Sequence, residues 1–329
     1  MLTVYTSFPT DPDLPPDEYR RTLLDKCRWI EEAGCRGVLV HTDNRSVDPW
    51  SAAQFLLENT ERLVPLIAVN PVYTHPFAAA RAIATIGYLY HRQVDLNLVS
   101  GGFPSHLKEL GCGLDHDERY DRITEFAQIV TRLLSDDSTV SHAGRHYTVK
   151  GAMLGMPFDA ALMPRIYVSG GSEASLEARR RLGAGWLTYP RLLGRYGDSG
   201  VFQGGGVRFG IIARPTAEEA WSLAHARFPH DEDGEQLHDW VAQQAESRWH
   251  RNLADDVRRS GVLDQVYWLY PFRAYHTFCP YLVGDYDEVA AALAEYFNVG
   301  VNTIILNTPE DPEDLDHILV ALRRARAAV

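Results

Sequence analysis

Long apolar runs are missing from this chain. No stretch approaches the roughly 18 to 20 consecutive apolar residues that a membrane-spanning helix needs, so no part of its 329 residues is expected to cross a bilayer. Cysteine is sparse, with only Cys27, Cys35, Cys112 and Cys279. None forms a C-x-x-C pair, so the spacing points to neither a zinc site nor a disulfide framework. The 13 histidines are scattered without an H-E-x-x-H signature, and no metal is expected. Basic charge is also short: 32 Lys and Arg against 44 Asp and Glu leave a formal charge of −12. A nucleic-acid partner needs a basic face and is excluded on that ground. A small anionic substrate is not excluded, because one local arginine can hold it.

The first residues, "MLTVYTSFPTDPDLPP", have no basic start and no apolar signal core. No export signal is expected, and with the unpaired cysteines a reducing cytoplasm fits best. There is no internal repeat, no low-complexity linker and no glycine fingerprint after the first strand, where the chain reads "YTSFPTD". The "GGG" at 204–206 comes before a strand, so it is not a dinucleotide phosphate loop.

What is present is an ordinary globular composition, 45% hydrophobic and 23% charged, with a strict alternation of elements. Strand patterns occur at "LTVYTSF", "CRGVLVHT", "RLVPLIAVN", "QVDLNLVS", "PRIYVSGG", "AGWLTYP", "GVRFGIIA" and "VNTIILNTP". Helical patterns lie between them: residues 17–33 carry an apolar stripe of Tyr19, Leu23, Cys27, Ile30 and Ala33, and further helices are expected over 76–87 and 117–135. "TVSHAGRHYTVKG" reads as a hairpin excursion. The segment 230–284 reads as irregular, aromatic and charged. Eight strands separated by helices favour parallel pairing through right-handed crossovers. The fold class expected is α/β, a (β/α)8 TIM barrel with insertions, forming one domain over 1–329 with the site at the C-terminal strand ends. An open doubly wound sheet is the alternative.

Polar residues inside these strands point to the site. In residues 93–99, Val94, Leu96 and Leu98 share one face, and Asp95 and Asn97 share the other. A buried carboxylate or amide without partners costs roughly 2–7 kcal/mol. Either these residues satisfy each other in a core network, the reading preferred for Asp95, or they meet a polar ligand, the reading preferred for Asn97. After Asn97 comes "SGG", where a ligand can approach the backbone. In "YVSGGSEASLEA" a strand ends in Ser169, Gly170, Gly171 and Ser172 and a helix starts at once, which makes an anion site of bare amides and a positive helix end. His116 and Tyr120 in "LDHDERYDR" are four apart and share a helix face.

Together with "TDNRSVDPW", "HPFAAARAIATIGYLYHRQVDLNLVSGG", "HDERYDR", "YVSGGSE" and "GVRFGIIARPTAEEAW", these segments resemble the bacterial luciferase-like flavin-dependent monooxygenases, most closely the alkanesulfonate-monooxygenase branch. The resemblance covers most of the chain and implies a luciferase-like barrel. It implies reduced FMN (FMNH2) supplied by a separate flavin reductase, and oxygenation of a small-molecule substrate through a C4a-(hydro)peroxyflavin. It places Asp43, Asn97 and Ser100 near the flavin ring, His116 and Tyr120 by the ribityl-phosphate arm, and Gly170, Gly171 and Ser172 at the phosphate. It also implies a homodimer or homotetramer. Arg208 would bind an anionic substrate or the peroxide oxygens, with a structural ion pair as the other reading. His41 is a candidate acid or base, or else a core histidine, and Ser46 is a candidate lining residue. The sulfonate enzymes carry a histidine where this chain has Gly210 and a cysteine where it has Ser46, and a late tyrosine of theirs is replaced around Pro309. The barrel is therefore similar while the substrate pocket differs. The aromatics of 230–284, Trp240, Trp249, Trp268 and Phe272 among them, suit a lid or a subunit interface. A deazaflavin-dependent oxidoreductase and a non-catalytic flavin-binding relative are the alternatives on the same barrel.

Overall fold

The computed structural model describes residues 2–7, 14–135, 138–192, 202, 204–244, 248–260 and 265–329. Its strands are β1 (Thr3–Ser7), β2 (Gly37–Val40), β3 (Val64–Val69), β4 (Asp95–Leu98), β5 (Val140–Ala143), β6 (Thr148–Ala152), β7 (Ile166–Ser169), β8 (Gly185–Thr188), β9 (Gly205–Arg214), β10 (Tyr267–Trp268), β11 (Tyr281–Asp285) and β12 (Val301–Leu306). The hydrogen-bonded order is β10-β11-β9-β12-β1-β2-β3-β4-β7-β8, and β8 pairs again with β9. The ring so closed contains the eight strands read from the sequence. The pairings β12–β1, β9–β12, β2–β3, β3–β4, β4–β7 and β8–β9 are all parallel. This is an α/β barrel of the TIM class, and β5–β6 is the expected antiparallel hairpin outside the ring.

The helices are α1 (Pro16–Glu32), α2 (Pro49–Glu58), α3 (Pro76–Tyr90), α4 (Pro104–Glu109), α5 (His116–Ser135), α6 (Glu173–Leu182), α7 (Ala217–Arg227), α8 (Glu232–Gln244), α9 (Arg248–Ser260), α10 (Tyr270–Arg273), α11 (Tyr286–Asn298) and α12 (Pro312–Ala327). Their starts follow the local chemistry. Proline opens α2, α3 and α12, where its missing N–H costs nothing. The carboxylates of Asp48, Asp285 and Asp311 accept from first-turn amides. No helix is long and apolar enough to cross a membrane, and no group of three or more His, Cys, Asp or Glu could hold a metal ion, both among the described residues.

By internal contacts the chain divides into two compact units. One comprises Met1–Ser7, Glu32–Cys35 and Leu187–Val329, and the other Phe8–Glu31 and Arg36–Trp186. In the second, Leu96 and Leu98 of β4 pack with Ile83 of α3 and with Ile123, Phe126 and Val130 of α5. Each such side chain, fully buried, stabilises the fold by about 1.5–3 kcal/mol. In the first, Ile212, Tyr281 and Val283 pack against Ala220, Ala224 and Trp268.

Two expectations need correction. Helix α3 runs past Gly87 to Tyr90, and His91 ends it in the left-handed conformation at φ 51°. Gly87 is a packing glycine: a Cβ there would stand 3.3 Å from Leu162 and 3.4 Å from Phe158. The segment 230–284 is largely regular, holding α8, α9, α10, β10 and most of β11. Much of its aromatic content is core: Trp268 and Phe272 are buried while Trp240 and Phe278 are exposed. The Trp249 side chain lies outside those described.

Candidate functional site

Strand β4 pairs with β3 and β7, so its polar residues are deep. Asp95 is fully buried and satisfied inside the protein. Arg36 donates to it from Nε at 2.9 Å, and the backbone N–H of Arg165 donates at 2.8 Å. Asn97, two residues on and facing the same way, accepts at Oδ1 from the Ser169 hydroxyl at 2.7 Å. The ends of β4 and β7 are therefore joined by side chains as well as by the ladder.

Tyr120 is the hub of the next cluster. It sits in the second turn of α5, is 5% exposed, and donates from its hydroxyl to the carbonyl of Ser169 at 2.9 Å. The hydroxyls of Ser100 and Ser172 hydrogen-bond to it, and burial pushes its phenol pKa up, so the group stays neutral. Ser100 from the end of β4, Ser169 from the end of β7 and Ser172 from the start of α6 thus meet at one oxygen. His116, one turn earlier, lies 5.2 Å from the Tyr120 ring and hydrogen-bonds to Asp117 at 2.7 Å.

The turn from β7 into α6 is built for close approach. Gly170 has φ 148°, and a Cβ on it would stand 2.3 Å from the Tyr120 hydroxyl and 2.7 Å from Ser175 Cβ. Its carbonyl is held by Trp186 Nε1 at 2.6 Å. Ser172 and Ser175 form a reciprocal capping box, each hydroxyl accepting from the other's backbone N–H at 3.2 Å and 3.1 Å. Among the described residues no acceptor meets the N–H groups of Gly171, Glu173 and Ala174. With the positive end of α6, they form a concave set of donors suited to an anion.

The loop after β2 carries His41, Asp43 and Ser46. His41 is half-buried and engaged by neighbours. Asp43 is exposed and folds back on its own turn: its carboxylate accepts from Arg45 N at 2.6 Å and Ser46 N at 2.9 Å, while its N–H donates to the Ser46 hydroxyl at 3.1 Å. Asn44 between them donates to the His106 carbonyl at 3.0 Å, fastening this loop to α4.

A separate cluster surrounds Arg208 on β9. Its Nη1 donates to the Tyr189 hydroxyl at 3.3 Å and its Nη2 to Asn307 Oδ1 at 2.8 Å. The guanidinium lies 5.8 Å over the Tyr189 ring. Its Nε is buried with no partner, and no carboxylate pairs with it among the described residues. A cation held only by neutral groups keeps its field for a ligand. Asn307 in turn donates from Nδ2 to the Tyr281 hydroxyl at 2.8 Å.

Trp186, Tyr189, Tyr281 and Asn307 were not expected at these clusters. For one of them a signal was present: Asn307 follows the apolar run "TIIL", a polar residue at the end of a strand pattern as Asn97 is a polar residue within one. A cavity of about 490 Å³ lined by His238, Asp239, Ala254, Val257, Arg258 and Arg273 contains none of the expected residues.

Comparison with known proteins places the chain. Residues 1–199 match the model of the luciferase-like monooxygenase family. The chain is 36% identical over 309 residues to the 4-(gamma-L-glutamylamino)butanoyl-[BtrI acyl-carrier protein] monooxygenase BtrO of Niallia circulans, covering 91% of this chain and 90% of that one. In structure it is similar to a riboflavin lyase, RcaE, solved with modified FMN and riboflavin, at TM-score 0.77, 16% identity and coverage of 100% and 92%. It is also similar to the EDTA monooxygenase EmoA of Chelativorans sp. BNC1, at TM-score 0.71, 14% identity and coverage of 100% and 94%. The strand order, the family match and the long-range identity agree: this chain belongs to the luciferase-like monooxygenases.

Proposed function

We propose that the chain is a two-component, FMN-dependent monooxygenase that takes reduced FMN from a separate flavin reductase and oxygenates an acyl substrate held on a carrier protein. The observation that carries the flavin assignment is the β7–α6 turn. Gly170 lies where only a hydrogen fits against Tyr120, and open amides follow it at the head of α6. A phosphate matches those donors in charge and in shape, so the residues fit a phosphorylated flavin. The open amides of Gly171, Glu173 and Ala174 would hold the phosphate, with Ser172, His116 and Tyr120 beside it, and Asn97 and Ser100 would contact the ring. When bound and reduced, FMN supplies the two electrons that activate dioxygen.

The rest falls to the chain's own groups. Tyr120, kept neutral by burial, fixes the turn against α5. Arg208, with no carboxylate partner among the described residues, attracts a polarised or anionic oxygen of the substrate. The carrier-bound substrate class is supported by BtrO, whose name gives a butanoyl group on an acyl-carrier protein as its substrate. The overall reaction balances: one oxygen atom enters the substrate, and the other leaves as water with two electrons and two protons from the reduced flavin.

The test is anaerobic loading with FMNH2 followed by oxygen. A transient absorbance distinct from that of oxidised FMN is expected, with a gain of one oxygen in a carrier-bound acyl group by mass spectrometry. Failure to bind FMN in either redox state, or tighter binding of a deazaflavin with hydride transfer that needs no oxygen, overturns the assignment.

A further inference from the structure

Arg208 and Gly210 are two apart on β9 and share a face, yet Gly210 has no side chain to offer. The space is filled from β11. Tyr281 is opposite Gly210 in the parallel register, and a Cβ at 210 would stand 2.1–2.3 Å from three atoms of the Tyr281 ring. Position 210 must therefore stay glycine while Tyr281 is there.

The Tyr281 hydroxyl belongs to a row whose direction is fixed at one end. A guanidinium can only donate, so Arg208 Nη2 sets Asn307 with Oδ1 toward itself at 2.8 Å. The amide nitrogen then faces Tyr281 and donates to its hydroxyl at 2.8 Å. Tyr281 accepts there, which leaves its own hydrogen to donate. Among the described residues no acceptor takes it. Burial drives this phenol pKa well up, so the hydrogen is retained across any working pH.

We propose that Tyr281, oriented by Asn307 and Arg208, is the hydrogen-bond donor that meets the acyl carbonyl oxygen of the substrate. It supplies, from a different strand, the polar side chain absent at Gly210. Asn307 is a positioning residue, since it acts through Tyr281. The choice of an acyl carbonyl rests on the proposed function; the donor and its direction do not.

Tyr281→Phe keeps the ring over Gly210 and removes only the hydroxyl. The probes are a butanoyl pantetheine thioester and the matching thioether, which lacks the carbonyl oxygen, each titrated calorimetrically into the FMN-loaded protein. Wild type should bind the thioester about tenfold or more better than the thioether. Tyr281→Phe should lose that preference, with thioether affinity, FMN affinity and Tm close to wild type. Asn307→Leu should lose the preference in the same way. The proposal is overturned if Tyr281→Phe keeps the preference, or if it lowers Tm and weakens both probes alike, as a purely structural hydroxyl would. It is also overturned if wild type binds neither probe better than the other. FMN uptake in the same titration shows separately whether the flavin assignment stands.

Discussion

Gly170 is where one atom decides what the site can hold. Its φ is 148°, and a Cβ placed on it would stand only 2.3 Å from the Tyr120 hydroxyl, so any side chain is excluded. Gly170→Ala must therefore move Tyr120, the turn, or both. Tyr120 ties Ser100, Ser169 and Ser172 together, so the displacement reaches every group near the open amides. FMN affinity should fall tenfold or more, an amount set by losing one or two hydrogen bonds to a charged group at about 1.5–3 kcal/mol each. Fluorescence quenching of FMN on titration measures it. Wild-type affinity in Gly170→Ala would mean that the phosphate sits elsewhere.

At the scale of elements, α5 and the β5–β6 hairpin show how a single carboxylate organises a connection. Glu125 accepts from the backbone N–H groups of Arg145 at 2.9 Å, His146 at 3.1 Å and Tyr147 at 3.2 Å, and pairs with His142 at 3.3 Å. Burial opposes its charge, yet these hydrogen bonds outweigh burial and hold its pKa below the ordinary value. Glu125→Leu strands three amides and should cost about 2–3 kcal/mol. Hydrogen exchange should speed up across residues 138–152 ahead of the rest of α5; unchanged protection there would remove Glu125 from this role. None of this was visible in the sequence, because Glu125 gains its partners from residues about 20 positions away that meet it only in the fold. The barrel strands were legible for the opposite reason. Their apolar runs, bounded by caps and glycines, are local signals, and Asn97 and Ser169 announced themselves by breaking such runs. Segment 230–284 misled because its charged and aromatic residues do not alternate cleanly. Its helices are fastened by distant contacts, such as Asp256 of α9 gripping Arg191 at 2.6 Å and 2.5 Å. Tyr281 was hidden in that same segment, and its meaning depends on Gly210, a residue 71 positions earlier that the sequence offers only as a gap.

The molecule as a whole carries a charge of −12, and its response to acid follows from a few titrating groups whose pKa values the fold shifts. His250 is buried beside His238, their rings stacked 5.6 Å apart. Burial, with a smaller contribution from His238, pushes the His250 pKa down from 6.5 to about 4; burial and then Arg273 lower that of His238. A base whose folded pKa is depressed binds its proton more readily in the unfolded chain. Stability therefore falls as pH drops through 6.5 and goes on falling until about 4, where the folded protein also takes up the proton. For His250 alone this reaches roughly 3 kcal/mol. Glu31 and Glu125 act lower down. Their carboxylates are held below the ordinary 4.5 by backbone hydrogen bonds that outweigh burial. The stability they add is present above 4.5 and disappears as pH falls through their folded values. Acid should thus weaken the protein in two stages. Urea midpoints measured from about pH 7.5 to about pH 3.5 should decline first between about 6.5 and 4, then further below. His250→Leu keeps the volume near Phe272 and removes the titrating ring, so it should flatten the upper stage and leave the lower one intact. A wild-type midpoint that stays level down to about pH 4.5 would show that the paired histidines are not held neutral by the fold.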